Sequence, residues 1–270
     1  MGCLSGKIAV VTGAGREQNI GEAICSAFLE AGASAVIATD ITMPDGKALE
    51  ARLSVAGPGQ LILVEHDVTD PQSWAHLVHK VQSDFGQIDV LVNNAGIAIH
   101  GGILETSIED LRKVMAVNHD SILMGIQSFA PMLSECRSRF AGGASVINTL
   151  SIGSYMANAH NIGYHASKAA ARMTTMCAAA ELGALGIRVN SVHPGVTLTP
   201  LIAAGLDDYV GRGVWADRAS AESGLAGMNA LGTLAMPQDI APLYVFLASE
   251  AARHITGAAY THDSGFNLRF

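Results

Sequence analysis

Charge is scarce in this chain. Only 15% of its 270 residues are Asp, Glu, Lys or Arg, and 24 acids against 16 bases leave a net charge of −8. No cluster of lysines and arginines stands out, which argues against a nucleic-acid partner. No uninterrupted apolar stretch reaches the ~20 residues that a membrane span needs, so no membrane partner is expected. The four cysteines (Cys3, Cys25, Cys136, Cys177) lie far apart and form no CxxC unit. Their spacing suits neither a disulfide framework nor a zinc site, and free, buried thiols in a reducing compartment are the expectation. No HExxH spacing appears among the ten histidines, so no metal is expected. A secretory signal does not fit, because a strand-like run, Ile8 to Thr12, begins almost at once. Met1-Gly2-Cys3 hints at acylation, but Gly6 stands where that pattern has Ser or Thr. A soluble cytoplasmic protein is the expectation.

Apolar residues, by contrast, are plentiful at 49%. Short β-branched runs at Ile8–Thr12, Ala35–Thr39, Leu61–Val64, Val90–Asn93, Ser145–Thr149, Arg188–Ser191 and Ala258–Thr261 read as strands. Helical stretches fall between them near 20–31, 46–56, 71–85, 106–130, 161–182 and 237–249. Strand and helix in alternation predict an α/β, doubly wound parallel sheet of about seven strands with helices on both faces. The near-continuous apolar strands fit burial on both sides. No linker, repeat or low-complexity tract divides residues 1–270, so one domain is expected. Residues 199–236, glycine-rich and holding Trp215, interrupt the pattern and read as a substrate-binding lid or, about equally, an oligomer contact.

Strand one runs into Thr12-Gly13-Ala14-Gly15, then Arg16-Glu17-Gln18-Asn19, and Ile20-Gly21 opens a helix. Glycines at a strand-to-helix turn let the backbone approach a pyrophosphate, and a helix N-terminus offers amides and a positive dipole end. A glycine cluster alone is a weak signal, since tight turns need glycine anyway. The acid expected at the end of strand two is present: Asp40, nineteen residues after Gly21. Asp40 can hydrogen-bond both ribose hydroxyls of an adenosine and repels a 2′-phosphate, which favours NAD(H) over NADP(H). Arg16 could serve a 2′-phosphate, or face the pyrophosphate or solvent. Beyond strand three, Asp67 can accept from an adenine amino group and Val68 can supply a backbone N–H. Thr69-Asp70-Pro71 reads as an ordinary cap with proline at a first helical position. After strand four, Asn94, Ala95 and Gly96 let a cofactor ribose lie against the backbone, while Asn93 reads as structural.

Tyr164 and Lys168 are four residues apart in a helical stretch. A phenol titrates near pH ~10 and handles protons poorly at neutral pH unless its phenolate is stabilised. An ammonium at i+4 shares its helix face and could do that. Taken alone, such a pair is more often an exposed helix face than a catalytic couple. The surrounding motifs reverse those odds.

Together, Thr12-Gly13, Asp67-Val68, Asn93-Asn94-Ala95-Gly96, Asn118, Ser151, Tyr164-x-x-x-Lys168 and Pro194-Gly195 with Thr199 resemble the short-chain dehydrogenases/reductases over nearly the whole chain. Ser151 precedes Tyr164 by thirteen residues, as in that family, and Asp263-Ser264-Gly265 resembles its closing Asp-Gly-Gly. The resemblance implies a Rossmann-type fold and a set of roles. Tyr164 would be the general acid/base, and Lys168 would lower its pKa and hold the nicotinamide ribose. Ser151 would orient the reacting oxygen, and Asn118 would hold a water that links Lys168 to solvent. Pro194, Gly195 and Thr197 would anchor the carboxamide, with Thr199 near the phosphates. One departure stands out: the glycine turn is two residues longer than usual, with Asn19 where the middle glycine would be. That leaves open which amides reach the pyrophosphate, with Gly13, Ile20 and Gly21 the candidates.

The function implied is NAD-dependent interconversion of a secondary alcohol and a ketone, in a homotetramer or homodimer. Leu201, Ile202 and Trp215 lean toward an uncharged, partly apolar substrate. Two alternatives stay open: a non-catalytic NAD(H)-sensing protein, and an enzyme of the sugar-nucleotide epimerase or dehydratase branch. An intact Ser151/Tyr164/Lys168 set weighs against the first and chain length against the second. His160, His165 and His193 each could touch substrate, although solvent or core packing is the commoner fate of such histidines.

Overall fold

The structure, a computed structural model, describes residues 2–44 and 46–269. Seven parallel strands form one sheet: β1 (Ile8–Thr12), β2 (Ala35–Asp40), β3 (Gln60–Glu65), β4 (Val90–Asn93), β5 (Ala144–Thr149), β6 (Ile187–Pro194) and β7 (Ala259–His262), in the order β3-β2-β1-β4-β5-β6-β7. β1, β4, β5 and β6 are buried along their whole length, because helices cover both faces. Alternate side chains of β1 therefore enter two different cores. Ile8 and Val10 pack with Trp74, Leu77 and Val81 of α3 (Pro71–Phe85) and with Ile122, Ile126 and Phe129 of α5 (Ser121–Ser134). Ala9 and Val11 pack with Ile24 and Phe28 of α1 (Ile20–Glu30), Leu49 of α2 (Gly46–Leu53), and Ile240 and Tyr244 of α9 (Pro237–Ala248). Period-two alternation along a strand makes this double assignment possible. The sequence-derived architecture is what is observed.

Local signals set the helix ends. Asp70 caps α3 through the amides of Gln72 and Ser73, Pro71 opens it, and Gly86 closes it at φ 66°. The long helix α6 (Ile162–Leu182) buries Gly163, Ser167, Ala171, Thr175 and Ala179, a stripe of small side chains at i+4 spacing that meets Val114 at Gly163, Asn118 at Ser167 and Asn148 of β5 at Thr175.

Three expectations need correction. The segment 106–130 is not one helix: α4 (Ile108–Met115) passes through a π-helical turn at Ala116–Asp120 into α5, which runs on to Ser134. Strand β6 extends to Pro194, three residues beyond the expected end, because the whole segment is buried and pairs with both β5 and β7. Cys25 and Cys136 are buried free thiols, but Cys3 and Cys177 are exposed. The stretch 199–236 is mostly helical, with α7 (Pro200–Gly211) and α8 (Arg218–Met228) packed on one another.

Candidate active site

The chain order reverses between β1 and β4, so the connections leaving their carboxyl ends part to opposite sides and open a crevice, the usual ligand position in an open α/β sheet. The first wall of this crevice is backbone. Gly13 has φ 67°, and a Cβ there would come 2.7 Å from the Ala95 Cα. A Cβ on Gly21 would lie 2.4 Å from the Gly13 carbonyl oxygen. Only glycine permits this approach of helix, turn and strand. Thr12 Oγ1 accepts from the amides of Asn94 (3.0 Å) and Ala95 (3.1 Å), and Asn94 Nδ2 donates back to the carbonyls of Thr12 (2.9 Å) and Gly13 (3.1 Å). Two strand ends are thereby welded at the switch point.

The lengthened turn has its own explanation. Asn19 caps α1, accepting from the Glu22 amide at 2.7 Å and donating to the Gly13 carbonyl at 3.0 Å. Its side chain does the work of turn closure that the usual middle glycine leaves to backbone. The inserted Glu17 is held from outside by Arg52 of α2, which also grips Glu22 of α1 at 2.6 Å. Ile20 and Gly21 therefore open a helix whose first-turn amides face the crevice end of the sheet, without intrahelical partners. Asp40 accepts from the amides of Gly15 (2.9 Å) and Ile41 (2.8 Å), and each carboxylate oxygen keeps further acceptor capacity. Arg16 is exposed and makes no ion pair with a described residue. These donors, the glycine-lined approach and the acid fit a dinucleotide.

Asp67 is half-buried and takes the Thr69 amide (2.8 Å) and hydroxyl (2.7 Å) on one oxygen, while Val68 is buried and its carbonyl receives the Trp74 indole N–H. At the other end, Gly195 lies so close to Asp263 that a Cβ would meet its Cα at 2.7 Å, and Thr197 is buried. Thr199 caps α7, accepting from the Ile202 amide at 3.3 Å.

The second wall is made of side chains. Ser151 follows β5 and accepts from the Gly153 amide at 3.0 Å, and its hydroxyl lies near enough to that of Tyr164 to favour the phenolate. Lys168, buried on the same face of α6, donates to the Thr149 carbonyl at 2.9 Å, with Nζ 5.7 Å from the Tyr164 ring centre. Gly96 faces it: a Cβ there would stand 3.5 Å from Lys168 Nζ and 3.4 Å from Asn118 Oδ1. Asn118 sits in the π-helical turn, fully buried. Its Oδ1 accepts from the Ile97 amide (2.8 Å), and its Nδ2 donates to the Ile97 carbonyl (2.9 Å) and to Ser167 Oγ (3.0 Å). A π-turn widens the helix at the residue that must reach across to the β4 loop.

Titration behaviour departs from the sequence-based expectation. Burial raises the Tyr164 hydroxyl above the ordinary phenol range, and the Ser151 hydroxyl only partly opposes this. The lowering expected from Lys168 is not seen in the protein's own groups. The reason is that burial acts on both partners, and it pushes Lys168 itself down to about 8.

Sequence reasoning passed over Ser167 and Thr149. Ser167 lies inside the Tyr164–Lys168 run, and its hydrogen bond to Asn118 ties α6 to the π-turn. The Thr149 contact is a backbone carbonyl, for which no residue type could signal. His165 Nδ1 donates to the Gly153 carbonyl at 2.9 Å and Nε2 lies 2.7 Å from Asn158 Oδ1, so it braces the loop before α6.

A family model described as Enoyl-(Acyl carrier protein) reductase, of the short-chain dehydrogenase/reductase family, matches residues 13–267. The chain belongs to that family. Among similar short-chain dehydrogenases/reductases, the NADP-dependent (R)-specific alcohol dehydrogenase of Lentilactobacillus kefiri is 35% identical over 269 residues, covering 98% of each chain. The 3-alpha-(or 20-beta)-hydroxysteroid dehydrogenase of Mycobacterium tuberculosis is 34% identical over 264 residues, 98% of this chain and 90% of that one. A crystal structure of a Burkholderia xenovorans protein assigned to the short-chain dehydrogenases/reductases superposes with a TM-score of 0.91 at 29% identity, over 100% of both chains. This protein is accordingly an oxidoreductase of the short-chain dehydrogenase/reductase type.

Proposed function

We propose that the chain interconverts a secondary alcohol and a ketone with NAD(H), and that Tyr164 is the general acid/base. The observation that carries this reading is the Ser151–Tyr164 hydroxyl pair beside Lys168 at the mouth of a glycine-lined crevice. Alcohol and hydroxysteroid dehydrogenases among the relatives support the same substrate class.

Gly13, Ile20 and Gly21 would hold the pyrophosphate. Asp40 would take the adenosine ribose, Asp67 and Val68 the adenine, and Asn94, Ala95 and Gly96 the second ribose with Lys168. Pro194, Gly195 and Thr197 would take the carboxamide, and Thr199 a phosphate. When bound, the nicotinamide carries the hydride and, oxidised, adds positive charge beside Tyr164. In ketone reduction Tyr164 Oη gives its proton to the carbonyl oxygen, and in oxidation it takes the alcohol proton. Ser151 Oγ orients that oxygen. Lys168 supplies the cation that a buried phenolate needs, and the Asn118–Ile97 clamp keeps Gly96 and Lys168 in register. Burial keeps water from competing for these contacts.

NAD is favoured over NADP by Asp40, whose carboxylate faces the glycine turn and would meet a 2′-phosphate with like charge. The L. kefiri relative uses NADP by its name, so the preference is this chain's own to demonstrate. We further infer that α7 and α8 form a lid over the substrate. Apolar side chains exposed on α5 and α6 (Leu123, Met173, Met176) support a homodimer or homotetramer, and a cytoplasmic location is proposed with them. Among the described residues no helix is long and apolar enough to cross a membrane.

Absorbance at 340 nm with NAD and a panel of secondary alcohols tests the activity. Tyr164→Phe should cut turnover by about 10²–10⁴-fold while NADH still binds by fluorescence. Undiminished turnover would remove Tyr164 from its role, and NADH binding with no turnover on any alcohol would favour a sensor. Asp40→Ser should shift preference toward NADPH, and an unchanged NADH:NADPH ratio would overturn the cofactor reading. Light scattering reporting a single-chain mass would sink the assembly.

A further inference from the structure

His193 is a fully buried imidazole at the end of β6, immediately before the Pro194–Gly195 turn, and no step assigned so far uses it. Both of its nitrogens are engaged. Nδ1 lies 3.0 Å from the Ser151 carbonyl oxygen and 2.7 Å from Ser154 Oγ, and Nε2 lies 2.8 Å from Ser191 Oγ. The ring of Tyr155 covers the imidazole at 4.6 Å between centroids, and the Arg172 guanidinium stacks on that ring at 4.5 Å.

These contacts fix the tautomer. A carbonyl oxygen can only accept, so Nδ1 must carry the proton it shares between Ser151 O and Ser154 Oγ. Ser154 then donates its own hydroxyl proton to the Ser151 carbonyl at 2.5 Å. Burial, with the cations of Arg172 and Lys168 adding to it, pushes the imidazole down to about 4, so the ring is neutral and Nε2 is free to accept from Ser191. A neutral, singly protonated ring with both ends tied is a rigid strut. One end of it grips the turn that presents Ser151, and its backbone carries the Pro194–Gly195 turn.

We propose that His193 is a positioning residue, holding the Ser151 hydroxyl at a fixed separation from the Pro194–Gly195 turn and so aligning the proton-handling and hydride-handling halves of the site. This rests on the alcohol/ketone reading above. The strut itself touches neither substrate nor cofactor.

Two substitutions separate alignment from mere packing. Asn at 193 keeps an N–H near the Nδ1 position but leaves a cavity, whereas Leu fills the space and offers no donor. His193→Leu should lower kcat by about 10- to 100-fold, the scale of a misplaced reacting group, with NADH Kd unchanged. His193→Asn should recover most of that kcat although its thermal midpoint falls below that of the Leu variant. If kcat instead follows the thermal midpoints, or His193→Leu turns over at the wild-type rate, the proposal is wrong. Imidazole ¹⁵N shifts of the intact protein at neutral pH provide a reading that needs no turnover and no variant to fold. Protonation at Nδ1 alone is expected, and a ring protonated at Nε2 overturns the strut. A wild-type protein inert toward every alcohol would count against the proposed function, while the tautomer would still decide the tie.

Discussion

The two walls of the crevice are built on opposite principles. At the β1–α1 turn the working groups are backbone amides, and side chains such as Asn19, Asn94 and Arg52 only hold the backbone in place. At the β5–α6 wall the working groups are side chains, and backbone such as the Thr149 and Ser151 carbonyls holds them. A backbone wall tolerates no added atoms but carries little electrostatic cost. A wall of buried ionisable groups instead stores the cost of burying charge. Binding can therefore survive a change that ends chemistry.

The largest expected break is at the backbone wall. Gly21→Val would place its Cβ within 2.4 Å of the Gly13 carbonyl, and overpacking of this kind costs about 1–3 kcal/mol. Thermal melts with and without NADH should show lowered stability and no cofactor-dependent rise in Tm. A normal NADH shift in this variant would dissolve the contrast between the walls.

Next comes the stored charge at Lys168. It loses its proton near pH 8 in the fold against 10.5 for the ordinary side chain. Between those values the unfolded chain binds the extra proton, so stability should rise with pH across that window. Below 8 both states hold it, and the buried ammonium costs about 3 kcal/mol. Lys168→Met should thus gain about 2 kcal/mol at pH 7 after loss of the Thr149 hydrogen bond, and flatten the rise from pH 8 to 10.5. Turnover should fall sharply at the same time. Denaturant melts at several pH values check this, and a destabilised variant would contradict it.

The smallest effect sharpens the comparison at the surface. Arg52→Ala removes the cation shared by Glu17 and Glu22 and should weaken NADH binding by about two- to fivefold, the worth of an exposed ion-pair cluster, with kcat unchanged. High salt should erase the difference, as screening weakens in the wild type the pairs that the variant already lacks.

Much of this was legible from residue order. Buried parallel strands announce themselves as apolar β-branched runs, and Asp70-Pro71 marks a helix start because its chemistry is local. The four-residue spacing put Tyr164 and Lys168 on one face of α6, since i+4 needs no tertiary information, whereas Ser151 rested on the family resemblance. Other features were not legible. The π-turn at Asn118 follows from a clamp on Ile97, twenty-one residues away, and nothing within the 106–130 pattern reports it. Nor does spacing report burial, which in the chain alone raises Tyr164 and lowers Lys168. His193 shows in the sequence only as a residue that could touch substrate, and its tautomer is decided by a carbonyl just beyond β5.

By itself the sequence determined the sheet, its wrapping helices, the family and the set of hydroxyl and amine groups at one end. These follow from periodicity and short-range spacing, which a chain carries wherever it goes. Only the tertiary structure decided how the lengthened turn closes, which oxygen each buried hydrogen faces and how far each proton is held from its usual pKa. Those depend on distance and on exclusion of water, and both arise when segments remote in the chain pack together.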